Sequence, residues 1–207
     1  MFATLTDGLV KNRTAAFHWR YNLATTQKIA FALGMAVLTG LMAQIRIPLP
    51  YTPVPITGQT FAVLLAGILL GRNWGGISMA IYATLGAIGL PWFAGFGGGL
   101  TILFGPTGGY IFGFILAALF IGYISDRFIK SRNFIPMLLL MLFANFVLIH
   151  GTGLIQLSIW LSFVKGTSPT FYEILAMGTI PFMAGGLIKV IAAAAVTKGI
   201  TPKKDFR

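Results

Sequence analysis

Between Phe134 and Phe163 the chain runs for thirty residues without one Asp, Glu, Lys or Arg. An apolar run of ~20 residues already matches the hydrocarbon core of a bilayer, so this stretch belongs in a membrane. As one straight helix it would reach ~45 Å against a core of ~30 Å, and must therefore tilt strongly, bend or project outward. Gly151-Thr152-Gly153 is the expected bend. Similar runs recur from Ile29 onward, and a composition of 57% hydrophobic and 9% charged residues excludes a soluble domain. The runs lack the alternation of a membrane β-barrel. The reading is an all-α integral membrane protein, one compact bundle of transmembrane helices.

Six spans account for the runs. The first covers about Ile29 to Ile45 and is followed by Pro48-Leu49-Pro50-Tyr51-Thr52-Pro53-Val54-Pro55, where the prolines forbid a helix. The second, about Gly58 to Leu70, is short enough to be re-entrant, but charge placement favours a crossing. The third, Trp74 to Leu90, ends at Pro91. Next comes Trp92-Phe93-Ala94-Gly95-Phe96-Gly97-Gly98-Gly99, then Leu100 to Phe104 and the turn Gly105-Pro106-Thr107-Gly108-Gly109, a structured loop. The fourth span starts near Tyr110, the fifth is the uncharged run, and the sixth follows Pro181.

With the N-terminus inside, twelve of the fifteen basic residues fall on the cytoplasmic side: Lys11, Arg13, Arg20, Lys28, Arg72, Arg127, Lys130, Arg132, Lys198, Lys203, Lys204 and Arg207. Arg46 and Lys165 lie outside and Lys189 is buried. That asymmetry places both termini in the cytoplasm and explains the net charge of +11 without a nucleic-acid partner. Residues 1–28 form an uncleaved interfacial lead-in, 29–198 the transmembrane substrate-binding domain, and 199–207 a basic tail.

Enzyme chemistry finds no footing. There is no phosphate-binding G-x-x-x-x-G-K-[ST] loop, no cysteine, and none of the four acids Asp7, Asp126, Glu173 and Asp205 lies within a span. His18 and His150 cannot build a metal site alone, and His150 reads as an interior or interfacial histidine. No cofactor or metal is expected. What the pattern does support is a small-molecule pocket on the outer side, where the Pro-rich loop, the Gly-rich loop and the start of span six converge. Asn145, Thr152 and Gln156 share one face of a continuous helix, which fits a cavity stripe or interhelical hydrogen bonding equally. Ala32 and Ala36 form a small-xxx-small pair, beside Ala30/Gly34, that admits either an internal helix or a separate subunit.

Lys189 is the residue most in need of a reason. A cation near mid-membrane costs about 2.5 to 3.5 kcal/mol, so it faces a cavity or bundle interior, or reaches the interface along its stem.

Three stretches carry a resemblance: Pro53-Val54-Pro55-Ile56-Thr57-Gly58-Gln59-Thr60, Leu85-Gly86-Ala87-Ile88-Gly89-Leu90-Pro91 and Phe104-Gly105-Pro106-Thr107-Gly108-Gly109-Tyr110. The chain resembles, from about Ile29 to Lys198, the BioY family of biotin-specific S components of energy-coupling factor (ECF) transporters. The resemblance implies a prokaryotic plasma-membrane subunit that captures biotin on the outer face and carries it inward, with a transmembrane coupling protein and two cytoplasmic ATPases as partners. It also implies that Ala32 and Ala36 dock on the coupling protein. The family commonly reads P-F-x-x-G-D-x-x-K where this chain has Pro181 to Lys189, so Gly186 stands in the aspartate position and Gly95 where some relatives place Asn. Lys189 would then be the sole formal charge of the cavity and a partner for the biotin carboxylate. Gln59, Asn145 and backbone amides of the glycine loop would meet the ureido ring, with Tyr82, Trp92 and Phe93 as apolar walls. The same scaffold tuned to another small carboxylate or vitamin, and a non-transport assembly or pore component, are the alternative functions.

Overall fold

A computed structural model describes residues 22–202. The expected lead-in 1–28 and basic tail 199–207 fall largely outside these residues. The elements run α1 (Thr25–Gln44), β1 (Arg46–Ile47), β2 (Ile56–Thr57), α2 (Gln59–Ala87), α3 (Leu100–Leu103), α4 (Gly108–Arg127), a 3-10 turn (Ile129–Arg132), α5 (Phe134–Phe143), a π-helical segment (Ala144–Ile149), α6 (His150–Phe163), α7 (Phe171–Gly178), a 3-10 turn (Ile180–Phe182) and α8 (Met183–Ile200).

α2 is two antiparallel helices. Gly71 interrupts it with φ 75° and ψ −176°, a conformation that only glycine adopts readily. Beyond it, a side chain at Gly75 would lie 2.9 Å from the Cα of Gly67. Residues eight apart on one helix stand ~12 Å from each other, so the chain has folded back on itself. Five helical stretches are long and apolar enough to cross a membrane, and α2 supplies two crossings, which gives the six the hydropathy predicts. The second span is therefore a true crossing. Arg72 donates its backbone N–H to the Asp126 carboxylate, so the Gly71 turn is tied to the end of α4.

Small residues set how closely the helices meet. A Cβ at Gly67 would lie 2.7 Å from the carbonyl oxygen of Ala118, which lets α2 and α4 approach backbone to backbone in the centre of the bundle. Ala32 and Ala36 are fully buried, and Ser78 of α2 donates to the Ala32 carbonyl. The pair expected to dock a partner is thus consumed inside this chain, by the second half of α2. Ala30 and Gly34 are exposed small residues on α1, and among the described residues nothing lies within 4 Å of where a Gly34 Cβ would stand.

The thirty-residue run departs from a plain helix at Ala144–Ile149, upstream of the predicted bend. A π turn inserts an extra residue and rotates everything beyond it around the axis. The expected stripe Asn145, Thr152, Gln156 is broken for that reason. Thr152 bonds back to the Leu148 and Ile149 carbonyls, whereas Gln156 donates to the carbonyls of Leu103 and Gly105, both at 2.8 Å. Gln156 therefore pins the turn before α4.

The two ends of the bundle differ. At one, Arg132 is buried and donates to the carbonyls of Ser125 and Pro202, near the Asp126-anchored Gly71 turn. At the other, the Pro-rich segment forms the tip of a hairpin closed by antiparallel pairing of Arg46 with Thr57 and Ile47 with Ile56.

Candidate functional site

The hairpin, the glycine-rich loop, α4, the π segment and the turn before α8 enclose a cavity of ≈ 320 Å³, within the usual size of small-molecule sites. Val54, Pro55, Phe93, Ile111, Phe114 and Phe182 supply apolar wall. Thr57, Gln59, Thr60, His150, Lys189 and Arg46 supply polar groups, and among the described residues no Asp or Glu lines it.

Most of the polar groups converge on Thr57. Lys189 Nζ donates to its carbonyl oxygen at 2.8 Å, its hydroxyl donates to Gln59 Oε1 at 2.8 Å, and its backbone pairs with Arg46. Gln59 Nε2 in turn donates to the Tyr82 hydroxyl at 2.8 Å, which donates onward to the Trp92 carbonyl at 3.3 Å. The buried Thr60 hydroxyl has no hydrogen-bond partner among the described residues. Lys189 thereby anchors the short strand β2 from α8 by a side-chain bond to its backbone.

The glycine-rich loop owes its shape to Gln44, at the end of α1. Its Nε2 donates to the carbonyls of Trp92 and Phe93 at 3.3 and 3.1 Å, and its Oε1 accepts from the Phe96 N–H at 2.9 Å. Phe96 sits at φ 58°, an unusual conformation for an aromatic residue. The Trp92 indole N–H donates to the Tyr82 carbonyl, and the Tyr82 and Trp92 rings lie 5.2 Å apart. These contacts present Phe93 and Ala94 to the cavity.

Of the residues expected to meet ligand, Lys189, Gln59 and Phe93 line the cavity. Tyr82 and Trp92 stand behind the wall, holding Gln59 and the loop. Gly95 is outside the lining too; at φ 73° it leaves room for Arg46, whose guanidinium would collide with any side chain there. Asn145 and Gly186 face each other away from the cavity. A Cβ on Gly186 would lie 3.1 Å from Asn145 Nδ2, and neither polar atom of the fully buried Asn145 amide has a partner among the described residues. Lys189 is not the sole formal charge, since Arg46 shares the cavity. Arg46 was legible only as one of two basic residues breaking the inside asymmetry.

His150 also lines the cavity. Its Nδ1 lies 2.9 Å from the Gly178 carbonyl oxygen, and its ring is framed by Tyr110, Phe146 and Phe182 with centroids 5.5 to 5.7 Å away.

Comparison with known proteins agrees with this geometry. The model of the BioY family matches residues 13–205. A protein of Methanothermobacter thermautotrophicus described as a probable biotin transporter BioY is 50% identical over 142 residues, 69% of this chain and 90% of its own length. The biotin transporter BioY of Thermotoga maritima is 37% identical over 150 residues, 72% of this chain and 82% of its own. Among solved structures, the S-component for biotin from an ECF-type ABC transporter superposes with a TM-score of 0.73 at 25% identity, covering 85% of this chain and 93% of that one.

Proposed function

The chain belongs to the BioY family, and from that membership we propose that it captures biotin in the cavity beneath the hairpin and carries it across a prokaryotic plasma membrane as the S component of an ECF-type transporter. A coupling protein and two ATPases would supply the energy. With the cavity end outside and the Arg132 end inside, the basic residues follow the positive-inside rule and both termini are cytoplasmic.

The observation that carries this reading is the lining itself: an apolar enclosure with two cations, Arg46 and Lys189, and no acid among the described residues. Such a site suits a small, largely apolar ligand bearing a carboxylate. The presence of Arg46 divides the work between the cations. A guanidinium offers a planar fork that fits a carboxylate bidentately, and at the exposed hairpin the carboxylate loses less hydration than it would deeper in. Lys189, already engaged with the Thr57 carbonyl, then has its remaining N–H groups for the ureido oxygen.

A titration of the purified protein with biotin and with its primary amide tests both steps. Saturable binding of biotin is expected, with the amide bound on the order of tenfold more weakly. Arg46→Met should abolish that discrimination while Lys189→Met keeps it. The reverse pattern moves the carboxylate to Lys189, and absence of saturable biotin binding refutes the reading.

A further inference from the structure

His150 sits in α6, within the Phe134–Phe163 run that carries no Asp, Glu, Lys or Arg, and nothing in the transport reading requires it. Only 5% of it is exposed, yet it forms part of the cavity wall. Three aromatic rings fix its plane, Phe146 stacked at 29°, Tyr110 edge-on at 88° and Phe182 tilted at 47°.

The hydrogen bonding fixes its tautomer. A carbonyl oxygen can only accept, so Nδ1, 2.9 Å from the Gly178 oxygen, must carry the proton. The Thr179 hydroxyl at 3.4 Å is a weaker second neighbour of the same nitrogen. In the neutral ring Nε2 is then an acceptor. Neither Gly178 nor Thr179 lines the cavity that His150 helps to wall, and Nε2 lies on the far side of the ring from the Nδ1–Gly178 bond. Among the described residues Nε2 makes no hydrogen bond, and it is not among the fully enclosed polar atoms that lack one. Lys189 lines the same cavity. The cavity thus sets a cationic donor near a neutral acceptor, and a cyclic urea presents the complement, a carbonyl oxygen beside an N–H.

We infer that His150 is a specificity-determining residue that accepts a ureido N–H of the ligand through Nε2. The inference deepens the biotin reading and rests on it. An acceptor fixed in place rejects a ligand whose N–H is replaced by an oxygen, because two acceptors then oppose each other.

The test is a cycle between protein and ligand, using biotin and its two cyclic-carbamate analogues, each with one ureido N–H replaced by ring oxygen. Wild type should bind one analogue on the order of tenfold to a hundredfold more weakly than biotin. His150→Asn keeps a donor where Nδ1 stands, preserving the Gly178 bond, but has no acceptor at Nε2. It should unfold near the wild-type temperature, bind biotin more weakly and treat that analogue like biotin. His150→Gln keeps an amide oxygen within reach of the Nε2 position and should retain part of the discrimination. Discrimination undiminished in His150→Asn, or equal binding of biotin and both analogues by wild type, overturns the inference while leaving biotin transport intact. Wild type that binds no biotin overturns both.

Discussion

Gln44→Leu isolates what holds the glycine-rich loop closed. Leucine conserves the volume of glutamine and removes its amide. Of the hydrogen bonds the amide makes, the one to Gly40 doubles an acceptor already inside the α1 ladder, and the Trp92 carbonyl keeps the Tyr82 hydroxyl. The change therefore falls on the Phe93 carbonyl and the Phe96 N–H, bonded at 3.1 and 2.9 Å. At about 0.5 to 1.5 kcal/mol each, the closed loop loses roughly 2 kcal/mol, a factor of about 30 in its opening equilibrium. The left-handed backbone of Phe96 adds to the effect, since that bond helps to hold it. Hydrogen exchange reads the change at the Phe93 and Gly99 amides, which bond to the Gly97 and Gly86 carbonyls within this region. Both should exchange about 30-fold faster, with amides in the centre of α4 unchanged. Gln44→Glu should behave no better, because a carboxylate keeps the acceptor for Phe96 but sets an anion against two carbonyls. Unaltered exchange in Gln44→Leu, or wild-type protection in Gln44→Glu, would refute the clamp.

Two further substitutions separate placement from resemblance. Asn145→Leu replaces two buried polar atoms, unpartnered among the described residues, with methyl groups outside the cavity wall; it should stabilise the protein by about 1 kcal/mol in thermal unfolding and leave biotin affinity unchanged. A clear loss of affinity would put Asn145 in the site. Ala36→Leu forces a larger side chain into the fully buried α1–α2 contact and should destabilise by about 1 to 3 kcal/mol, whereas Gly34→Leu, facing open space, should not destabilise the isolated subunit. Ala36→Leu that unfolds like wild type would return that residue to the outer surface.

The crossings were legible because lipid imposes a length and an apolar composition that hydropathy reads directly. Even the reversal between spans two and three was legible, from Arg72 needing to reach the inside, although the choice of Gly71 as the turn was not. The site was harder to read because contact depends on which way a side chain points. Phe93 reaches the cavity and its neighbour Trp92 does not, a difference of one residue in a loop with no period. Asn145 was misplaced by the π segment, whose extra residue answers to the packing around it and leaves no mark in the hydrophobic pattern. The Ala32/Ala36 spacing says that a helix can come close, and the same spacing serves an internal helix and a foreign one.

The charge of Lys189 takes on a different meaning once Thr57 is in view. From the sequence, a lysine without its aspartate needs an anion, solvation in the cavity or loss of its proton to offset about 2.5 to 3.5 kcal/mol of insertion cost. In the structure a charge-assisted bond to the Thr57 carbonyl, worth about 1.5 to 3 kcal/mol, offsets most of that before any ligand arrives. The same bond gives a backbone carbonyl of the two-residue strand β2 a side-chain donor. Lysine and irregular hairpin thus stabilise each other, and Gly186 can stand without a carboxylate because the cation is answered from the opposite wall. A ligand that adds a neutral oxygen at Lys189 completes its shell without adding a charge, which leaves the ligand's own carboxylate for Arg46.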